Sequence, residues 1–215
     1  MNSKSFYETL INIPLVIMVV GIVVGLFKKA GLGKAQRWIL VLLSTSLLAE
    51  ILAKLVAIAN GNNYWVYHLY FPIEFTLVAM VFLGAFSKTQ YKLIIKWAIG
   101  MIWIYSLLNL PGWLGTGELD TNVSIASNAA IIVLSIALLF QILSEMRYRR
   151  IERSSLFWFN MAMLSYCAGS LLLFVFADWL VMVAMDYAVN IWLIHLFLKV
   201  LQYLMLIIAL WMDPE

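Results

Sequence analysis

The sequence predicts an all-α polytopic membrane protein with seven transmembrane helices. Three observations predict it. The 215-residue chain is 65% hydrophobic and only 12% charged, and a water-soluble domain of that composition would leave far too much apolar surface in water. Its apolar residues fall into seven runs, each close to the roughly 20 residues a helix needs to cross hydrocarbon. Together they use up nearly the whole chain and leave no soluble catalytic or output domain. Finally, eleven of the fourteen Lys and Arg residues lie in alternate connections: Lys28, Lys29, Lys34 and Arg37; Lys88, Lys92 and Lys96; Arg147, Arg149, Arg150 and Arg153. Excess Lys and Arg marks the cytoplasmic face, which puts the N-terminus outside and the C-terminus inside.

The first helix is expected over Ile11 to Phe27. It is preceded by Lys4 and Glu8, ends at Lys28-Lys29 and carries no small-residue cleavage motif; charge follows the apolar run, so it reads as a retained helix and not a signal peptide. The following spans are expected at Trp38 to Ala59, Val66 to Phe86, Leu93 to Leu110, Val123 to Met146, Ser155 to Ala177 and Ile191 to Trp211. The outer connections are then Asn60 to Trp65, the turn-rich Pro111-Gly112-Trp113-Leu114-Gly115-Thr116-Gly117, and Asp178 to Asn190. In the last, Asp178, Trp179 and Tyr187 suit an interfacial helix or a short re-entrant piece. Gly21-x-x-x-Gly25 and Ser165-x-x-x-Gly169 allow close helix approach, within the chain or in a homodimer.

An internal echo joins the two ends of the chain. Asn63-x-Trp65-x-x-His68-Leu69 opens the third helix, and Asn190-x-Trp192-x-x-His195-Leu196 opens the seventh. The first three helices (residues 1–86) would then repeat as the last three (123–215), with helix 93–110 as linker. A single linker helix makes the triplets point the same way, a parallel repeat about an axis along the membrane normal. The bland reading is that Asn, Trp and His are common where a helix enters lipid.

Function is best sought among polar residues within the spans, since a charge at mid-bilayer costs at least ~2.5 kcal/mol on insertion scales. Helix 2 carries Glu50 and Lys54 at i,i+4, the favourable order for an ion pair on one face. Helix 3 carries Glu74 near its centre, just after Pro72, whose ring frees a carbonyl. Helix 7 carries His195, Lys199, Gln202 and Tyr203, the first three on one stripe. Two acids and two bases at similar depth predict a neutral polar cluster between helices 2, 3 and 7, in the outer half of the membrane. Structural readings stand beside this. Glu50 and Lys54 can neutralise each other while Lys54 snorkels outward. His68 and His195 are better read as interfacial hydrogen-bonding residues than as ligands. Asn128, Asn160, Tyr166 and Ser170 extend a polar path through helices 5 and 6 or bond neighbouring helices.

Other classes are disfavoured. The net charge of +3 sits in loops where it orients helices and meets anionic lipid headgroups, so it gives no argument for nucleic acid. Cys167 is the sole cysteine and has no partner for a disulfide or a thiolate metal site. No cofactor is expected. The expected partners are the bilayer, a small polar ligand, and a homodimer or another membrane protein.

Glu50, then Asn62-Asn63-Tyr64-Trp65-Val66-Tyr67-His68-Leu69-Tyr70 running into Pro72-Ile73-Glu74-Phe75, and later Ser155-Leu156-Phe157-Trp158-Phe159 ahead of Tyr166 and Gly169, resemble a family of small bacterial seven-helix inner-membrane proteins. That family has no established activity, so the resemblance implies topology and a bacterial inner-membrane location without a mechanism. Lys199 stands outside its pattern. The three-plus-one-plus-three plan is also similar to that of sugar and vitamin carriers of the SWEET and PnuC type, although their diagnostic proline-glutamine pairs are missing here.

Three function classes follow. The first is a carrier or ligand-binding module, or a sensor subunit, in which a small polar solute or proton enters a site formed by Glu50, Lys54, Glu74, Lys199, Gln202, His68 and His195. The second is a retinal-type photoreceptor, with Lys199 as Schiff base and Glu74 as counterion. The third is an intramembrane lipid hydrolase with zinc held by the histidines and acids, for which no H-x-x-x-H or H-E-x-x-H spacing is present.

Overall fold

A computed structural model describes residues 3–109, 122–145, 151–176 and 188–212. These residues form α1 (Ser3–Phe27), α2 (Lys34–Asn60), α3 (Tyr64–Ala85), α4 (Thr89–Leu108), α5 (Asn122–Glu145), α6 (Ser155–Val175) and α7 (Ala188–Trp211), with no strand among them. Single 3-10 turns, Lys29–Gly31 and Ile151–Arg153, lead into α2 and α6. Helices α2 to α7 are each long and apolar enough to cross a membrane, while the apolar part of α1, Asn12–Phe27, is shorter. The loop Pro111 to Gly117, Arg147, Arg149 and Arg150, and Asp178, Trp179 and Tyr187 lie outside the described residues, as do the side chains of Asn190 and Trp192.

Several helices start earlier than their apolar runs. α1 reaches back to Ser3 instead of Ile11, α4 begins at Thr89 instead of Leu93, and α7 begins at Ala188, taking in the end of the expected outer segment. Lys92 and Lys96 thus belong to the first turns of α4. Apolarity marks the part of a helix in hydrocarbon, whereas backbone hydrogen bonding continues into the headgroup zone, where Lys extends its ammonium to water. α2 ends at Gly61, whose left-handed φ of 74° suits a residue without Cβ and lets its N–H bond the Ala57 carbonyl at 3.0 Å. α3 runs unbroken through Pro72, so the expected loosening there is not a break.

The packing pairs close a ring. α1 packs on α2, α2 on α3, α3 on α5, α5 on α6, α6 on α7, and α7 back on α1, with α2 also touching α6 and α7. α4 stands outside this ring against α3 and α5, held in part by Trp103 Nε1 donating to Thr76 Oγ1 at 3.0 Å. The ring is inverted relative to a soluble protein. Its interior holds Gln36, Ser46, His68, Asn128, Ser135, Asn160, Ser170 and Gln202, while Phe27, Ile58, Trp97, Leu108 and Phe140 are exposed. In lipid the exposed apolar surface costs nothing, and polar groups must find partners inside. Aromatic residues fill the α3–α6 contact, where Phe82 meets Phe159 edge-on at 5.5 Å.

The small-residue patterns act within the chain. A Cβ on Gly21 would lie 2.9 Å from Ile207 Cγ1 of α7, one on Gly25 2.6 Å from Leu40 of α2, and one on Gly169 2.5 Å from Leu198 of α7. These glycines let helices approach more closely than any side chain permits. Gly169→Val should therefore force Leu198 out of its rotamer and lower stability by about 1–3 kcal/mol, read as a lower Tm in detergent; Gly84→Val, where nothing lies within 4 Å, should cost far less.

Candidate functional site

Three helices bring their central ionisable residues to one depth. At ~1.5 Å per residue, Glu74 lies ~15 Å from the Tyr64 end of α3, Glu50 ~15 Å from the Asn60 end of α2, and Lys199 ~16 Å from the Ala188 end of α7. All three are then near the middle of a hydrocarbon layer about 30 Å thick. The pairing among them differs from both sequence expectations. Lys199 Nζ donates to Glu50 Oε1 at 2.6 Å, joining α7 to α2. Lys54, expected beside Glu50 on its own helix, donates instead to Asn12 Oδ1 of α1 at 2.6 Å and stays within electrostatic range of Glu50. The expected Glu74–Lys199 contact is not made because α3 and α7 are not packing neighbours in the ring, whereas α2 touches both. Glu74 remains within electrostatic range of Lys199 and Glu50.

Tyrosines and a serine complete the cluster. Tyr67 donates to Glu50 Oε2 at 3.3 Å, so each oxygen of that carboxylate has a donor. Tyr70 lies between Ser46 Oγ, 2.6 Å away, and the Glu74 carboxyl one turn along its helix. Ser46 donates to the Leu42 carbonyl at 2.8 Å and also meets Tyr203 of α7. Hydroxyls thus connect α2, α3 and α7 beneath the ion pair. Glu50 and Lys199 keep 21% and 22% of their side-chain surface exposed, so the pair is reachable from outside the packed interior. An ammonium with three N–H donors and a contact to one carboxylate oxygen keeps donors for a second partner.

Of the other expected site residues, His195 lies within electrostatic range of both Lys199 and Glu50. Gln202 is buried in the α6–α7 interface with Nε2 3.8 Å from Met163 Sδ. His195 Nδ1 lies 3.5 Å from Ser170 Oγ of α6, with its ring 5.9 Å from Tyr166. His68 is fully buried, on a helix that packs against α2, α4 and α5. Asn160 Nδ2 donates to the Ser135 carbonyl at 3.0 Å and serves as a tie between α6 and α5. Ser46, Tyr67 and Tyr70 were missed as site residues, although positions 67, 70 and 74 follow the three-and-four spacing of one helix stripe.

Among the described residues no three of His, Cys, Asp and Glu come together as metal ligands. The photoreceptor arrangement loses its assigned contact, since Lys199 faces Glu50 and not Glu74. Compared with protein-family models, with curated proteins and with solved structures, the chain matches none.

Proposed function

We propose that this chain is a seven-span inner-membrane protein of bacterial type, with its N-terminus outside, that receives a small polar solute or proton at the cluster of Glu50, Lys199 and Glu74 and acts as a carrier or sensor subunit. The observation that carries this reading is the Glu50–Lys199 ion pair at 2.6 Å in mid-span with about a fifth of each side chain exposed. A charge pair that served only as glue would be stronger sealed, and in a membrane span polar groups of this cost mark binding or translocation paths. A solute with an anionic or hydrogen-bond-accepting group competes with Glu50 for Lys199, and the freed carboxylate is held by Tyr67. The exchange couples occupancy to the α2–α7 contact.

The duplication fits this arrangement. Under a two-fold relation of α1–α2–α3 to α5–α6–α7, the α3–α5 contact maps onto α7–α1 and the α1–α2 and α2–α3 contacts onto α5–α6 and α6–α7, all of which pack. α4 then takes the position of a linker outside the ring. Repeat interfaces near the midplane are where carriers bind their substrates.

The test is a ligand screen by thermal shift on the purified chain, followed by uptake into proteoliposomes for each hit. Lys199→Met and Glu74→Gln should each reduce affinity for a hit by ten-fold or more, which is about 1.4 kcal/mol. Equal affinity in both variants for every hit would remove these residues from the site.

A further inference from the structure

Glu74 faces a second feature besides the ion pair. With Ser124, Ser127, Asn128, Tyr166 and Gln202 it lines a small cavity between α3, α5, α6 and α7. The free space corresponds to about one water-sized particle. Ser127 and Asn128 are 5% and 6% exposed, and Ser127 Oγ and Asn128 Nδ2 have no hydrogen-bond partner. Two unpartnered polar groups on one cavity are costly unless something there engages them. Rotating the Asn128 amide by half a turn exchanges its nitrogen and oxygen at the same position. The cavity wall then offers oxygen from a carboxylate, three hydroxyls and two amides.

We infer that this cavity is a binding site for a small monovalent cation, held by the Glu74 carboxylate with Ser127 and Asn128. Oxygen-only donors suit hard cations. Charge selects the valence: Lys199 is taken up by Glu50 at 2.6 Å, so one carboxylate charge faces the cavity, and a monovalent ion neutralises it. A divalent ion would leave a net positive charge in the span, which lipid penalises. Size excludes organic cations. Glu74 is shared with the solute cluster and lies within electrostatic range of both Glu50 and Lys199, so the site would couple ion occupancy to that pair, as coupling ions do at carrier midplanes. The inference rests on Glu74 being a working group, as proposed above, but not on any solute.

The experiment is thermal unfolding of the purified full chain in detergent, titrated with sodium chloride against potassium, magnesium and choline chloride at matched ionic strength and fixed pH. Sodium should raise Tm by about 3–5 °C over choline, as expected for a ligand that binds only the folded chain. Glu74→Gln and Asn128→Val should each abolish that rise, and Ser127→Ala decides the matter if Glu74→Gln does not fold. A rise selective for potassium keeps the site and changes its preferred ion. An equal rise with every salt, a larger one with magnesium, or no rise at all would overturn the inference. A cation-specific rise with no solute found would leave this site standing and remove the solute reading alone; solute binding without the rise would do the reverse.

Discussion

Replacing Lys199 by Met should lower the stability of the chain by about 2–3 kcal/mol, and adding Glu50→Gln should restore most of it. Removing one member of a buried pair strands the other, which costs about 3–5 kcal/mol when the pair is fully enclosed; here both side chains are about a fifth exposed, so the lower figure applies. In a protein of this size each kcal/mol moves Tm by roughly 2–4 °C. The two single variants should not be equal. After Lys199→Met the Glu50 carboxylate keeps Tyr67 as a donor and Lys54 within electrostatic range. After Glu50→Gln the ammonium keeps a neutral amide oxygen in place of the carboxylate, with Glu74, Tyr166 and Tyr203 within electrostatic range. Glu50→Gln should therefore be the weaker protein, and the double variant more stable than either. A double-mutant cycle on Tm with reversible unfolding measures the coupling. Additive losses would mean that the 2.6 Å contact contributes nothing to stability.

How much of this was legible in the sequence divides along a physical line. Depth was legible. Counting rises from the ends of apolar runs placed Glu50 and Glu74 near the midplane and Lys199 somewhat outward at a similar depth, and the 2.6 Å contact of Lys199 with Glu50 is within reach of that offset. Azimuth was not. Which face of α2 meets α7 depends on how seven cylinders pack, and no periodicity within one helix encodes its neighbours. The i,i+4 rule favoured Glu50 with Lys54, yet such pairs are worth only about 0.2–0.5 kcal/mol, and the Asn12 oxygen of α1 was enough to draw Lys54 away. The same blindness hid the closed ring and the outlying α4. Nor does counting rises show that His68, on a helix packed among three others, is fully buried. Ser46, Tyr67 and Tyr70 carried a usable signal in their helical spacing to Glu50 and Glu74, because a stripe of hydroxyls beside a mid-span acid has few uses other than hydrogen bonding to it.

The end of the ring where α2 begins and α7 ends should be equally sensitive, at one residue. Gln36 is 1% exposed. Its Oε1 accepts from the Gly33 N–H at 3.0 Å, closing the first turn of α2, and its Nε2 donates to the carbonyls of Ala209, Leu210 and Met212 at 3.1, 3.2 and 2.9 Å. Those carbonyls belong to the last turn of α7 and the residue after it, where a helix has no N–H donors of its own left to offer. Lys28 adds its ammonium to the Trp211 and Met212 carbonyls and lies 5.5 Å from the centre of the Trp211 ring, the charge that a helix C-terminus favours. Gln36→Leu keeps the volume but strands buried carbonyls, a loss of about 2–4 kcal/mol at 1–3 kcal/mol per unsatisfied group with partial relief by water. Gln36→Glu removes the donors and sets a carboxylate against the negative end of the α7 dipole, so it should be worse still. Lys28→Met, at a half-buried position on the rim of the ring, should cost under about 1 kcal/mol. Tm would give the order, and hydrogen exchange at residues 33–37 and 208–212 would locate the loss. If Gln36→Leu and Lys28→Met prove equally mild, water satisfies the end of α7 and the link from α2 holds nothing.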